Sequence, residues 1–249
     1  MYAVVLAGGE GVRLRPLTET QPKVMIDLYG RPFLWWAKRW LEHHGVTKSV
    51  IVTSYQSQAI ASFFVDDPKT TIVNIPDALS LGRGGVVKIA STFIPETERE
   101  VVIANGDILT TANLSKLIRE HQERPRYELT ALAIQPLCPY GQFAFKFGNM
   151  DQTSWFQEKG FLQQWVNGGI YVCNRTFLES FPDYGDHETE LFPTLARLGL
   201  MQAIRCPEFW MSLDTHKDLK IIQQVMRNVN ADLWPNVQGL RVALSEAYR

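Results

Sequence analysis

Arg13, Arg15 and Lys23 follow directly on the stretch Leu6-Ala7-Gly8-Gly9-Glu10-Gly11. Glycines let a backbone come close to a phosphate and offer its N–H groups. Fixed cations beside such donors can hold a triphosphate and stabilise charge at a transferring phosphorus. Two common phosphate motifs are excluded. A P-loop needs GxxxxGK[ST], which the chain lacks. A dinucleotide GxGxxG passes at once into a helix, whereas here the spacing is GGxG, and Pro16 and Pro22 bar an unbroken helix over 13–23. The result is a connection of about 17 residues where 2–6 is usual, and connections that long inside compact domains tend to carry function. The bland alternative is a surface loop with solvated basic residues.

Further along, Asn105-Gly106-Asp107 closes the apolar run Val101–Ala104. An aspartate at the carboxyl end of a central strand suits magnesium, which takes oxygen ligands and keeps waters and substrate phosphates in its shell. The same tripeptide also serves as a β-turn. Asp77 opens the segment Asp77–Gly85, rich in glycine, which reads on its own as a turn before a helix, with a carboxylate that can only accept hydrogen bonds. On its own Glu158-Lys159 reads as a solvated pair, and Asn167-Gly168-Gly169 as a strand with a glycine bulge. His43-His44 has no acidic partner at metal spacing and reads as surface or cap.

Regular elements must position these residues. Tyr2–Leu6, Ser49–Thr53, Thr71–Ile75 and Val101–Ala104 read as buried strands. Between them the pattern predicts helices from Pro32 to Gly45, over Gln56–Val65 and over Gly84–Ser91, with a fourth over Asn113–Glu123. Such alternation means an α/β fold with a parallel sheet and right-handed crossovers. Ligands then sit beyond the carboxyl ends of the strands, so the loops after Leu6, Ile75 and Ala104 should share one crevice. In the second half, Tyr127–Ile134, Gln142–Phe147 and Trp165–Val172 read as strands, and Thr189–Leu198 and Thr215–Arg227 as helices. The expected division is one domain over 1–230, with a first half over about 1–125 and, over 126–230, a substrate-binding extension of the same sheet. A tail over 231–249 carries scattered apolar residues that could pack on the core or serve a homodimer.

Composition narrows the class. The formal net charge of -1 gives no global field to hold nucleic acid. Cys138, Cys173 and Cys206 are far apart, odd in number and form no CxxC pair, which argues against structural zinc and a disulfide framework. Tyr2–Ala7 is too short for a signal segment, and no apolar run approaches the roughly 20 residues of a membrane helix. A soluble, cytoplasmic protein without nucleic-acid or membrane partners is expected.

The stretch LAGGEGVRLRPLT…QPK resembles the signature of sugar-1-phosphate nucleotidyltransferases, LAGGxGxRLxPLT…PKP, with Val24 in place of the last proline. The resemblance runs to about Arg227 and implies a Rossmann-like three-layer α/β/α fold with a mixed, mostly parallel sheet, of the nucleotide-diphospho-sugar transferase type. It implies that Leu6, Ala7, Gly8, Gly9, Gly11, Asp77, Gly82, Gly84 and Asn105 meet the nucleotide. Asp77–Gly85 is similar to the base-reading segment ExLPLGTGG, except that Arg83 replaces threonine. Asp107 matches the metal ligand of the family's NGD. Gly141, within Tyr140-Gly141, would present its N–H to the sugar. Glu158 and Lys159, in a segment similar to FxEK, would meet sugar hydroxyls and the sugar phosphate. Asn167 and Gly168, in a segment similar to NxGxY, would border the sugar. Most of the family reads WxDIGT near the end, with an aspartate two residues after tryptophan. Here that slot is Ser212, and Phe209–Asp218 is similar instead to the FWxxMDTxxD form of glucose-1-phosphate cytidylyltransferases, which makes Asp214 the second metal ligand.

The implied reaction uses Mg2+, a nucleoside triphosphate and a sugar 1-phosphate. The sugar phosphate attacks the α-phosphorus in line and pyrophosphate leaves. The nucleophile is already anionic, so catalysis is positioning plus charge neutralisation. Arg13 and Lys23 are the expected catalytic cations. The base stays open between CTP, GTP and dTTP or UTP, since the C-terminal motif favours cytidylyl and the glycine motifs favour mannose or heptose guanylyl or thymidylyl relatives. Two other classes are weighed: a non-catalytic sugar-nucleotide sensor on this fold, kept alive by Arg83 and Ser212, and an NAD(P)-binding oxidoreductase. The second is weakened by the glycine spacing and by Thr53-Ser54 where an acidic residue would end the second strand.

Overall fold

The computed structural model describes residues 1–76 and 81–247. Seven strands form one central sheet: β1 Tyr2–Leu6, β2 Lys48–Thr53, β3 Thr70–Asn74, β4 Glu100–Asn105, β5 Leu129–Ile134, β6 Val166–Asn174 and β7 Met201–Arg205. Their spatial order is β7-β5-β6-β4-β1-β2-β3. Only β6 runs against the others, pairing antiparallel with both β4 and β5. The helices of seven residues or more are α1 Phe33–His43, α2 Ser57–Phe63, α3 Gly82–Ser91, α4 Leu114–Gln122, α5 Phe192–Leu198, α6 His216–Met226 and α7 Leu240–Ala247.

Strand β1 shows why the sheet is a middle layer. Ala3, Val4 and Val5 are all fully buried, as expected for a strand covered on both faces. Successive side chains point to opposite faces, and here Ala3 and Val5 join one core while Val4 joins another. The first core takes Trp36, Trp40 and Leu41 of α1, Leu114 and Leu117 of α4, Ile222 and Met226 of α6, and Leu244 of α7. The second takes Val87 and Ala90 of α3 and Phe192 and Leu195 of α5. The architecture is thus the expected three layers with a mixed, mostly parallel sheet.

Several elements depart from the sequence reading. The helix expected over 189–198 is broken into His187–Glu190 and α5, with Pro193 in the first turn of α5, where its missing N–H costs nothing. Strand β7 lies at the sheet edge, and its alternation is too weak to announce it. A polar strand, Asn149–Gln157, completes a hairpin with Gln142–Lys146 outside the main sheet. The tail packs on the core: Trp234 is buried, and its Nε1 donates to the carbonyl of Trp36 at 2.9 Å.

One buried charge fixes α1. The Lys38 ammonium lies 2.7 Å from both Glu42 and Asp67. Burial alone would raise the Asp67 carboxyl, but bonds from Lys38, the Lys69 N–H and Thr70 hold it down at about 2, against an ordinary 3.8. A carboxyl depressed on folding stabilises the native state fully above its unfolded pKa, and the stabilisation is lost as pH falls through the folded one. Urea midpoints should therefore decline between about pH 4 and 2. The Lys38→Met protein should show a flatter acid limb, and an unchanged limb would remove this pair as its source.

Candidate active site

The glycine connection leaves β1 at the carboxyl edge of the sheet. Gly11 takes φ +64°, and a Cβ there would lie 2.8 Å from Lys23 Cβ. The position therefore requires glycine twice over, for its left-handed backbone and for the close passage of Lys23. Thr18 Oγ1 donates to the Gly11 carbonyl at 2.8 Å, and Ser54 Oγ donates to the Gly8 carbonyl at 2.6 Å. These side chains tie the loop to itself and to the end of β2.

A cavity of about 420 Å³ opens there. Leu6, Ala7, Gly8, Gly9, Lys23, Asn105 and Asp107 form one side, and Ile75, Pro76, Leu81, Gly82 and Arg83 form another. The loops after Leu6, Ile75 and Ala104 thus share one crevice. Asp77 lies outside the described residues. Gly84 is not among the lining residues; its N–H donates to the Gly185 carbonyl at 2.9 Å.

Asp107 and Asp214, far apart in the chain, are brought together by a short ribbon. Ile108–Thr110 pairs antiparallel with Trp210–Ser212, matching Ile108 with Ser212. The Leu213 N–H then donates to the Asp107 carbonyl at 2.9 Å. Helix α6 starts at once after Asp214 with a capping box between Thr215 and Asp218, which fixes the chain direction there.

Both carboxylates converge on one cation. Lys23 Nζ contacts Asp107 Oδ2 and lies 3.4 Å from Asp214 Oδ1, while Arg13 Nη2 lies 3.0 Å from the same Asp214 oxygen. Ser212 Oγ donates to the other Asp214 oxygen at 2.8 Å. Burial opposes the charge on Lys23, but the Asp107 and Asp214 carboxylates outweigh it and raise the ammonium above its ordinary 10.5. Burial would likewise raise Asp214, yet Lys23, Ser212 and Arg13 hold it below the usual carboxylate range.

A point where two carboxylate oxygens accept one cation at the edge of a cavity suits magnesium. That ion takes oxygen ligands and fills its shell with water and substrate phosphate. Among the described residues no cluster of three or more His, Cys, Asp and Glu side chains forms a protein-only cage.

The sugar-side candidates lie apart from this cavity. Glu158 and Lys159 are exposed and follow the strand Asn149–Gln157, Lys159 with φ +49°. The Glu158 carboxylate and the Phe156 ring pack against Gly141, where an added Cβ would come within 2.7 Å of both. Asn167 Nδ2 donates to Tyr171 OH at 2.7 Å and to Glu188 Oε1 at 3.1 Å, while the Gly168 carbonyl accepts from Trp210 Nε1 at 2.9 Å. Ser54 was legible only as the end of a strand, and Glu188 and Asp186 had no sequence signal at all.

Residues 2–225 match the family model described as nucleotidyl transferase. The D-glycero-alpha-D-manno-heptose 1-phosphate guanylyltransferase of Aneurinibacillus thermoaerophilus is 31% identical over 72% of this chain and 77% of its own. Mannose-1-phosphate guanyltransferase beta-A of Xenopus laevis is 26% identical over 88% of this chain, which spans 62% of that relative's length. A crystal structure of HddC from Yersinia pseudotuberculosis shares the fold, with a TM-score of 0.68 and 24% identity over 89% of this chain and 97% of that one. Among the described residues no helix is long and apolar enough to cross a membrane.

Proposed function

The chain belongs to the nucleotidyl transferase family, and from that premise we propose that it transfers a nucleoside monophosphate from a nucleoside triphosphate to a sugar 1-phosphate. The observation that carries this reading is the convergence of Asp107, Asp214, Lys23 and Arg13 at the edge of the glycine-lined cavity. Both relatives above are named for a sugar 1-phosphate and for guanylyl transfer, which supports that acceptor class and puts GTP first among the triphosphates to test.

In this reading the triphosphate lies along Leu6–Gly9, with its base between Ile75, Leu81 and Gly82 and its phosphates toward Lys23. A sugar phosphate oxygen forms a bond to the α-phosphorus as the bond to the β-phosphate oxygen breaks, and pyrophosphate carries away the electron pair. No proton need be removed from the nucleophile. Lys23 meets the α-phosphate and the incoming phosphate, and Arg13 the departing one. Asp107 and Asp214 would hold magnesium, which when bound neutralises triphosphate charge. Gly141, Glu158, Lys159, Asn167 and Gly168 make up the sugar side, with Lys159 toward the sugar phosphate.

The test is a matrix of five triphosphates against glucose, mannose and heptose 1-phosphates, read by pyrophosphate release with Mg2+. Turnover is expected for one base with at least one sugar, GTP first. No release from any pair overturns the reading.

A further inference from the structure

Arg83 stands where the resemblance has threonine, and its partners come from the other half of the chain. It lines the nucleotide cavity. Its Nε donates to Asp186 Oδ2 at 2.7 Å, Nη2 meets the same oxygen, and Nη2 also lies 2.8 Å from Glu188 Oε2. Planar guanidinium forks hold carboxylates with defined geometry. Asp186 accepts in addition from the Glu188 N–H at 2.9 Å, which fixes the start of the short helix His187–Glu190.

The backbones beneath are joined as well. The Gly185 N–H donates to the Leu81 carbonyl at 2.8 Å, and Gly84 returns the bond to Gly185. Gly82 takes φ +69°, with the Gly185 carbonyl oxygen 2.3 Å from where a Cβ would stand. This close seam places the cavity wall directly against residues 182–188.

Glu188 passes the contact onward. Its Oε1 accepts from Tyr171 OH at 2.6 Å and from Asn167 Nδ2 at 3.1 Å. Asn167 Nδ2 donates to Tyr171 OH too, and its Oδ1 accepts from the Gly169 N–H at 3.0 Å. Both amide protons of Asn167 are therefore engaged, and its oxygen retains one lone pair. The amide is locked to offer an acceptor, which suits a donating hydroxyl.

The geometry points to Arg83 and Glu188 as a positioning pair for the sugar 1-phosphate: the guanidinium in the nucleotide wall holds the carboxylate that orients Asn167. This rests on the transferase reading above and on Asn167 meeting the sugar. Arg83 acts here through Glu188, and its place in the nucleotide wall ties the two substrate sides together. Removing the Arg83 guanidinium or the Glu188 charge undoes the ion pair that sets where Glu188 Oε1 stands, so the Asn167 amide is held less firmly and the sugar hydroxyl loses a fixed acceptor.

The test is steady-state kinetics on wild type, Arg83→Met, Arg83→Lys, Glu188→Gln and the Arg83→Met/Glu188→Gln double variant, with both substrates varied. The KM for the sugar 1-phosphate should rise roughly tenfold in Arg83→Met and in Glu188→Gln, the scale of one charge-assisted hydrogen bond. Turnover at saturation should change far less, a split that general loosening of the fold would not produce. The double variant should be no worse than the poorer single one, since both act along one path. Arg83→Lys, a cation without the fork, should recover part of the loss. If Arg83→Met does not fold, Glu188→Gln, which keeps its shape, carries the test. Active variants with unchanged sugar KM overturn this inference alone. A wild-type protein without turnover overturns the transferase reading together with it.

Discussion

Lys23→Ala should turn over roughly 10²–10³-fold more slowly than the wild-type protein, the usual scale for losing a group that stabilises developing charge. The side chain is only 15% exposed and passes beneath Gly11 to place its ammonium between Asp107 and Asp214. That position borders the cavity where the phosphates are proposed to lie. In the proposed role Lys23 meets the α-phosphate and the incoming phosphate, which draw together only as the transition state forms, so the loss should fall on kcat more than on the KM for the triphosphate. Lys23→Arg should not restore the rate, because a broad planar fork replaces a compact charge held between two carboxylates. The deletion also takes from Asp107 its ion-pair partner and leaves Asp214 with Arg13. Mg2+ should therefore raise the Tm of Lys23→Ala more than that of wild type, as binding to the native state alone stabilises by mass action. Wild-type turnover in Lys23→Ala removes the lysine from the mechanism.

The first half of the site was legible because its physics is local. Tyr2–Leu6 is apolar throughout since β1 is covered on both faces, and the glycines that follow stand where backbone and Lys23 come close. Asp107 was legible as the residue that ends a buried strand. What brings Asp214 to it was not: the ribbon of Ile108–Thr110 with Trp210–Ser212 pairs segments distant in the chain, and each strand is too short to show a period. Arg83 drew notice as a departure from the threonine of the resemblance, yet its partner Asp186 lies 103 residues away. An exposed arginine reads in sequence as solvated, whatever carboxylates the fold sets beside it. The hairpin strand Asn149–Gln157 gives no signal for a related reason: it lies outside the central sheet, and none of residues 151–157 is buried, so no alternation is impressed on them.

Asp214→Asn should cut turnover by a similar factor of about 10²–10³ and shift the Mg2+ requirement to higher concentration, while Ser212→Ala should cost far less. Asparagine keeps the shape and one acceptor oxygen, so the Ser212 bond can persist and the change isolates the charge. That charge faces Lys23 at 3.4 Å and Arg13 at 3.0 Å, and it is one of the two proposed to hold the metal. Ser212 contributes a single hydrogen bond to the far oxygen of Asp214. As a hydrogen bond to a charged but half-exposed carboxylate, its loss is worth about 1.5 kcal/mol, or roughly tenfold if all of it appears in the rate. The resemblance puts an aspartate at position 212 in most of the family, and the geometry explains how the carboxylate can move two places. Ser212 Oγ and the Asp214 carboxylate lie side by side, and the ribbon holds both next to Asp107. A carboxylate at position 212 would start beside the Asp214 carboxylate, which lies 3.4 Å from the Lys23 ammonium. Mg2+ titrations of pyrophosphate release on the two variants decide the matter: the larger shift in Ser212→Ala would take the second ligand away from Asp214.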